Sequence, residues 1–237
     1  MFNVYASTFL MRDGRIANLD AHLARLRDET SISTSAIEDI REKLRQAGQG
    51  VFRPVVQVVG STVSIDLHPT VLPPDEAIID AEGIRDERRQ PTRRGPDLGW
   101  QMSKLQQIRR RGANGGLLID DRGFVISGIF SAILCLDHSQ AHISAHPRAS
   151  SSVTMDATLE IFEQQGIEPV EHPDGMSMAM LRSTETWLLS SLEGVRKITG
   201  WMEYGSVLNP SQGGVPRLGA PTHREINDLL WQAAEYV

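Results

Sequence analysis

The chain has 237 residues, with 24 Lys plus Arg against 30 Asp plus Glu, a formal charge of −6, and its 40% hydrophobic and 23% charged content is that of an ordinary globular protein. That length gives one large or two small domains, the acidic balance speaks against nucleic acid as a partner, and the single cysteine, Cys135, excludes an intrachain disulfide. Any lysine nucleophile must be Lys43, Lys104 or Lys197; no stretch is long and apolar enough for a membrane span, and Met1-Phe2-Asn3-Val4 lacks signal-peptide order, so the default expectation is a cytoplasmic protein.

Residues 2–10 alternate as a strand does, Asp13-Gly14 reads as a turn, and Arg15 to Leu19 as a second extended piece. Asp20 then offers an N-cap to a helix whose apolar face carries Leu19, Leu23 and Leu26. A second helix is predicted from near Ser35, with Ile37, Ile40 and Leu44 as its stripe and Gly48 and Gly50 ending it. Phe52 to Val59 and Thr62 to Leu67 are β-branched runs around Gly60-Ser61 and predict a hairpin.

Polar residues and prolines crowd 80–97, which predicts a join between an N-terminal lobe, 1–88, and a C-terminal lobe, 89–237. Beyond it the pattern predicts a helix over Trp100 to Arg111 and strands at Leu117 to Ile119, Phe124 to Ile126 and Ile129 to Leu136. A helix over Thr154 to Gln165 ends at Gly166, and strands follow at Thr186 to Leu189 and Val195 to Thr199. Asn209 to Pro221 reads as a loop, and Thr222 to Tyr236 as a closing helix. Strands and helices mix in both halves, so the fold class is α/β or α+β in two lobes.

Local motifs carry little chemistry. His138, His142 and His146 would stack on a helix, but their surroundings read as a turn and a strand, with no carboxylate or cysteine at ligand spacing, so no metal site is expected. There is no Gly-x-Ser-x-Gly elbow and no phosphate loop ending in Gly-Lys. Gly112 to Gly116 is glycine-rich, but its strand follows it, which is the wrong order for a dinucleotide fold.

A longer pattern is more specific. Asp13-Gly14-Arg15 followed by Leu19-Asp20-Ala21-His22-Leu23-Ala24-Arg25-Leu26 resembles the opening of the class IV aminotransferases. These are the fold-type IV pyridoxal-phosphate enzymes, among them branched-chain and D-amino-acid aminotransferases and 4-amino-4-deoxychorismate lyase. The resemblance runs on in order through Gly95-Pro96-Asp97-Leu98, Leu117 to Gly123, Gly128 and Ser131, Ser152-Val153-Thr154, Thr186-Trp187-Leu188, Ser191 to Arg196 and Ile198 to Trp201.

It implies a small α/β N-terminal lobe, a larger barrel-like C-terminal lobe, a pyridoxal-phosphate cleft between them, and a homodimer. By position, Arg25 matches the arginine that grips the cofactor phosphate, Val153 and Thr154 the helix start that cups it, and Ser191 a further hydroxyl. A helix start offers free N–H groups and a positive dipole end to such a dianion, and arginine adds a permanent bidentate charge. The Schiff-base lysine position, however, holds Arg94, and the glutamate that pairs with the pyridine nitrogen matches Ser127. A guanidinium stays protonated and forms no imine.

The expectation is an enzyme with a changed centre, Arg94 and Ser127, acting on a small anionic metabolite without an internal aldimine. A conventional enzyme using Lys104 and a non-catalytic binding protein are the alternatives.

Overall fold

The computed structural model describes residues 4–137, 140–210 and 220–237. The first sheet is built from β1 (Val4–Thr8), β2 (Met11–Arg12), β3 (Arg15–Ile16), β4 (Val51–Val59), β5 (Thr62–Pro69) and the chain's last strand, β15 (Glu235–Tyr236). Its order is β1-β4-β2-β3-β15, with β5 also on β4. Helices α1 (Leu19–Thr30) and α2 (Thr34–Arg45) cover it, and Leu19, Leu23, Leu26, Ile40 and Leu44 pack on Tyr5, Phe9, Val56 and Val58.

The β-branched hairpin over β4 and β5 forms in the register its turn dictates, with Val59 opposite Thr62. The first strand is shorter than its alternation predicts: it breaks after Thr8 and resumes at Met11, and both pieces pair with β4. Asp20 is not the cap of α1. Asn18 takes that place in a left-handed conformation, φ 55°, which asparagine tolerates, and Asp20 falls in the first turn, paired with Arg41.

The second sheet contains β6 (Glu76–Arg85), β7 (Gly115–Ile119), β8 (Val125–Gly128), β9 (Ala132–Leu136), β10 (Ala141–Ser144), β11 (Pro169–His172), β12 (Glu185–Ser190), β13 (Gly194–Glu203) and β14 (Ser206–Leu208). The order is β11-β10-β9-β12-β13-β6-β7-β8, with β14 also on β13, and the sheet curls into a half-barrel. Helices α3 (Leu98–Arg110), α4 (Val153–Gln164), α5 (Met178–Ser183) and α6 (His223–Gln232) complete the chain. Phe162 of α4 and Ile226 and Leu230 of α6 bury Leu134, Trp187, Leu189 and Val195 on one face. On the other face α5 contributes Leu181 to a core with Ile79, Leu117, Ile133 and Trp201.

The join predicted at 80–97 is corrected in its first part. Residues 80–85 continue β6, which lies parallel to both β13 and β7. Its acidic residues are accommodated rather than excluded: buried Asp80 accepts from Glu82 N at 3.0 Å and lies 3.3 Å from an Arg111 nitrogen, and Gly83, at φ 75°, carries the register shift against β7. The segment before residue 88 therefore supplies a strand to the second sheet.

Strand β11 and helix α5 have no counterpart in the sequence reading, and the closing helix ends at Gln232, capped by a Thr222–Glu225 box, before β15 returns to the first sheet. Most of the predicted loop 209–221 lies outside the described residues. Cys135 is the packed thiol its apolar run suggests: it is buried, and burial pushes its pKa up to about 11. Among the described residues no helix is long and apolar enough to cross a membrane.

Candidate functional site

Gly95 decides where Arg94 can lie. At φ 111° a Cβ on this residue would stand 2.8 Å from Ala6 N and 2.9 Å from Val4 O, so only glycine lets the loop after β6 close onto β1. The same loop is anchored at its base by a buried ionic network. The Asp86 carboxylate, its side chain 1% exposed, accepts from Arg88 Nε at 2.8 Å, Arg88 Nη2 at 3.0 Å and Arg148 Nε at 2.9 Å. Arg88 also donates to Pro91 O, Ser150 Oγ and Arg148 O, which ties the loop to the segment leading into α4. At the far end Asp97 accepts from Arg89 N and Gln90 N. Held this way, Arg94 reaches the start of α4 and donates Nη2 to Ser151 O at 3.2 Å.

Helix α1 brings His22, Arg25 and Glu29 to the same place, because spacings of three and four residues share a helix face. Arg25 Nη2 lies 2.9 Å from Asp156 Oδ2 in the first turn of α4. Ser152 caps α4 by accepting from Met155 N, and Val153 and Thr154 form the buried start of the helix. Thr154 Oγ1 and Ser191 Oγ stand 3.3 Å apart, and Leu10 N donates to Ser191 O at 2.9 Å, which links the β12–β13 turn to the first sheet. Arg94, Arg25, Val153, Thr154 and Ser191 therefore gather at the junction of the two sheets.

Ser127 is buried in β8 opposite Leu118 and makes no direct hydrogen bond to either arginine among the described residues.

The electrostatics of the junction follow from burial beside two cations. The His22 imidazole, buried and stacked on Phe9 at 5.1 Å, is pushed down to about 3 by burial and then by Arg94 and Arg25, so it is neutral at physiological pH. Burial raises the Tyr5 phenol, with Arg94 opposing the shift and Glu29 adding to it. Burial also lowers the Arg94 guanidinium from its ordinary value, against the carboxylates of Glu29 and Asp156.

Three buried polar atoms here have no hydrogen-bond partner: Arg25 Nη1, Arg94 Nε and Glu29 Oε2. Such atoms are costly to leave bare, which marks the junction as built for something further. Tyr5, His22, Glu29 and Asp156 were not singled out from sequence; the i, i+3, i+7 spacing of His22, Arg25 and Glu29 on α1 was the available signal.

The lysines lie elsewhere. Lys43 is exposed on α2, Lys104 on α3 sits over the Trp100 ring at 5.5 Å, and Lys197 on β13 pairs with Glu185 at 2.7 Å. Two surface concavities of about 520 and 510 Å³ run along α6, lined by Gln165 and Leu229 in one and by Arg15 and Trp231 in the other, apart from the arginine junction.

Of the three spaced histidines, His138 lies outside the described residues. His142 on β10 faces Asp137 Oδ2 and His172 Nε2, each at 3.1 Å, while His146 Nδ1 accepts from Arg148 N. Sequence spacing does not reveal the second histidine, His172, which stands on the unpredicted β11. Among the described residues no group of three metal-ligating side chains is arranged to hold an ion.

The sequence model described as Amino-transferase class IV matches residues 6–201, and the chain belongs to that family. No curated protein sequence matches it. Among solved structures it is similar to a hypothetical aminotransferase from Mycobacterium tuberculosis, with 16% identity, a TM-score of 0.74, and coverage of 97% of this chain and 88% of the other. It is similar to a putative 4-amino-4-deoxychorismate lyase at 19% identity and TM-score 0.70, covering 82% and 83%. It is also similar to the branched-chain amino acid aminotransferase from Escherichia coli at 17% and 0.70, covering 98% and 86%. At these identities the likeness is one of fold, the fold-type IV architecture that the sequence resemblance implies.

Proposed function

We propose that this protein is a member of the class IV family with an altered centre, an enzyme that binds a small anionic metabolite on Arg94 and Arg25 without a covalently held cofactor. The observation that carries the reading is the pair of buried, unpartnered guanidinium nitrogens, Arg94 Nε and Arg25 Nη1, beside the start of α4. A carboxylate or phosphate would satisfy both, and the helix start adds N–H donors and a positive dipole end. Thr154 and Ser191 supply hydroxyls at the same place.

The donor set does not fit pyridoxal phosphate held through an imine. The group that meets the junction from the loop after β6 is Arg94, which keeps its proton, and each lysine is engaged or exposed elsewhere. Lys104, the substitute considered from sequence, lies over Trp100 on α3.

Two measurements test this. Protein incubated with pyridoxal phosphate and then borohydride should carry no reduced adduct on any lysine. Calorimetric titration with inorganic phosphate should show binding that Arg94→Ala weakens about tenfold or more, the worth of one charge-assisted hydrogen bond in a partly buried site. An adduct on Lys104, or phosphate affinity indifferent to Arg94→Ala, would overturn the reading.

A further inference from the structure

The junction holds more than an anion grip. Glu29 lies one turn beyond Arg25 on α1, and its Oε2 is buried without a partner, as Arg94 Nε and Arg25 Nη1 are. Asp156 already neutralises one side of Arg25 through its 2.9 Å contact, whereas Glu29 makes no ion pair of its own among the described residues. A bare anion entering here would satisfy the two guanidinium nitrogens but leave Glu29 unmet, and it would bring negative charge toward a carboxylate that water cannot fully screen. An unpartnered buried acceptor and like charge at close quarters both cost binding energy.

Other groups cannot relieve it. His22 is neutral and stacked on Phe9, so it brings Glu29 no counter-charge. No lysine is available to act as counter-ion to Glu29, since Lys104 and Lys197 are occupied and Lys43 is exposed on another helix.

From the three unpartnered atoms we infer that Glu29 is a specificity-determining residue: the junction takes a ligand whose anionic group meets Arg94 and Arg25 while a hydroxyl or ammonium donor on the same molecule meets Glu29. This rests on the two-arginine reading above. It adds a requirement that an arginine pair alone does not impose, that bare anions are disfavoured. Glu29 acts on binding and is assigned no part in bond making.

The test uses inorganic phosphate and O-phosphoethanolamine, two probes that share the phosphate and differ in the ammonium arm. Calorimetric titration of the protein should show phosphoethanolamine binding about fivefold tighter than phosphate. Glu29→Gln, close in shape but uncharged, should tighten phosphate and weaken phosphoethanolamine, each by about fivefold, so that the order reverses. A merely structural role would move both affinities in one direction, and an unchanged thermal unfolding midpoint confirms that the variant is folded.

Arg94→Ala should weaken both probes. If it does, while Glu29→Gln leaves their ratio unchanged, the Glu29 assignment is wrong and the arginine reading stands. If the wild-type protein binds neither probe, or Arg94→Ala changes neither affinity, both fail.

Discussion

Asp86→Asn should remove about 3–5 kcal/mol of stability, the usual cost of taking one partner from a buried ionic network. The Asp86 side chain is 1% exposed and that of Arg88 4%, so the Arg88 charge that remains has almost no water to turn to. The amide keeps the shape but not the charge, and it cannot accept the bidentate Arg88 bonds and the Arg148 bond together. Urea unfolding reads the loss directly, and a change below about 1 kcal/mol would mean that the network is no stronger than a surface ion pair.

The network also fixes a pH response. Burial by itself would raise the Asp86 pKa, but hydrogen bonds from Arg88 and Arg148 outweigh it and hold the carboxyl below the usual range. A carboxyl depressed on folding contributes stability above its unfolded pKa and loses it as pH falls through the folded one. Wild-type stability should therefore decline on acidification below the ordinary carboxylate range, and the Asn variant should lack that component of the decline.

Gly95→Ala should be nearly as costly, at about 3 kcal/mol, and should weaken phosphate binding as well. The new methyl would meet Ala6 N, Val4 O and Tyr5 C at 2.8–3.0 Å, all backbone atoms of β1 that cannot step aside, on a residue whose φ of 111° suits only glycine. The loop would have to back away from the strand and draw Arg94 with it. Gly99, on α3, is the control: nothing lies within 4 Å of a Cβ there, so Gly99→Ala should be neutral or stabilise by about 0.5–1 kcal/mol. Equal effects at the two glycines in denaturation and titration would refute the steric argument.

These contrasts explain what could be read from the sequence. The β4–β5 hairpin announces itself because β-branched residues fill two runs around a glycine turn, and α1, α2 and α4 because their apolar residues keep helical spacing. Strand β6 is hidden because Asp80 and Glu82 look like connector residues until Arg111 and the Gly83 irregularity are seen to accommodate them. Strand β11 is four residues at a sheet edge, begun by a proline and paired on one side only, too short for its pattern to stand out.

At the junction, Arg25, Arg94, Thr154 and Ser191 could be picked out only as a set matched to a family, since they come from four separate segments. Glu29 is marked only by its helical spacing from Arg25, and Tyr5 not at all, because nothing local distinguishes a strand tyrosine from one facing a buried cation. Ser127 comes from the same matching, and it lies in β8 opposite Leu118.

The two sheets exchange strands at opposite ends of the chain. β6 from the first third lies between β13 and β7, and β15 at the C-terminus pairs with β3 next to Arg15, which also holds Ala234 O and Trp231 O. Neither half is complete when cut from the other at the Arg-rich loop near residues 88–94. A tryptic nick there should yield two pieces that stay together on gel filtration and part only in denaturant. Expressed from separate genes, they should behave as complementing fragments, each insoluble without its counterpart.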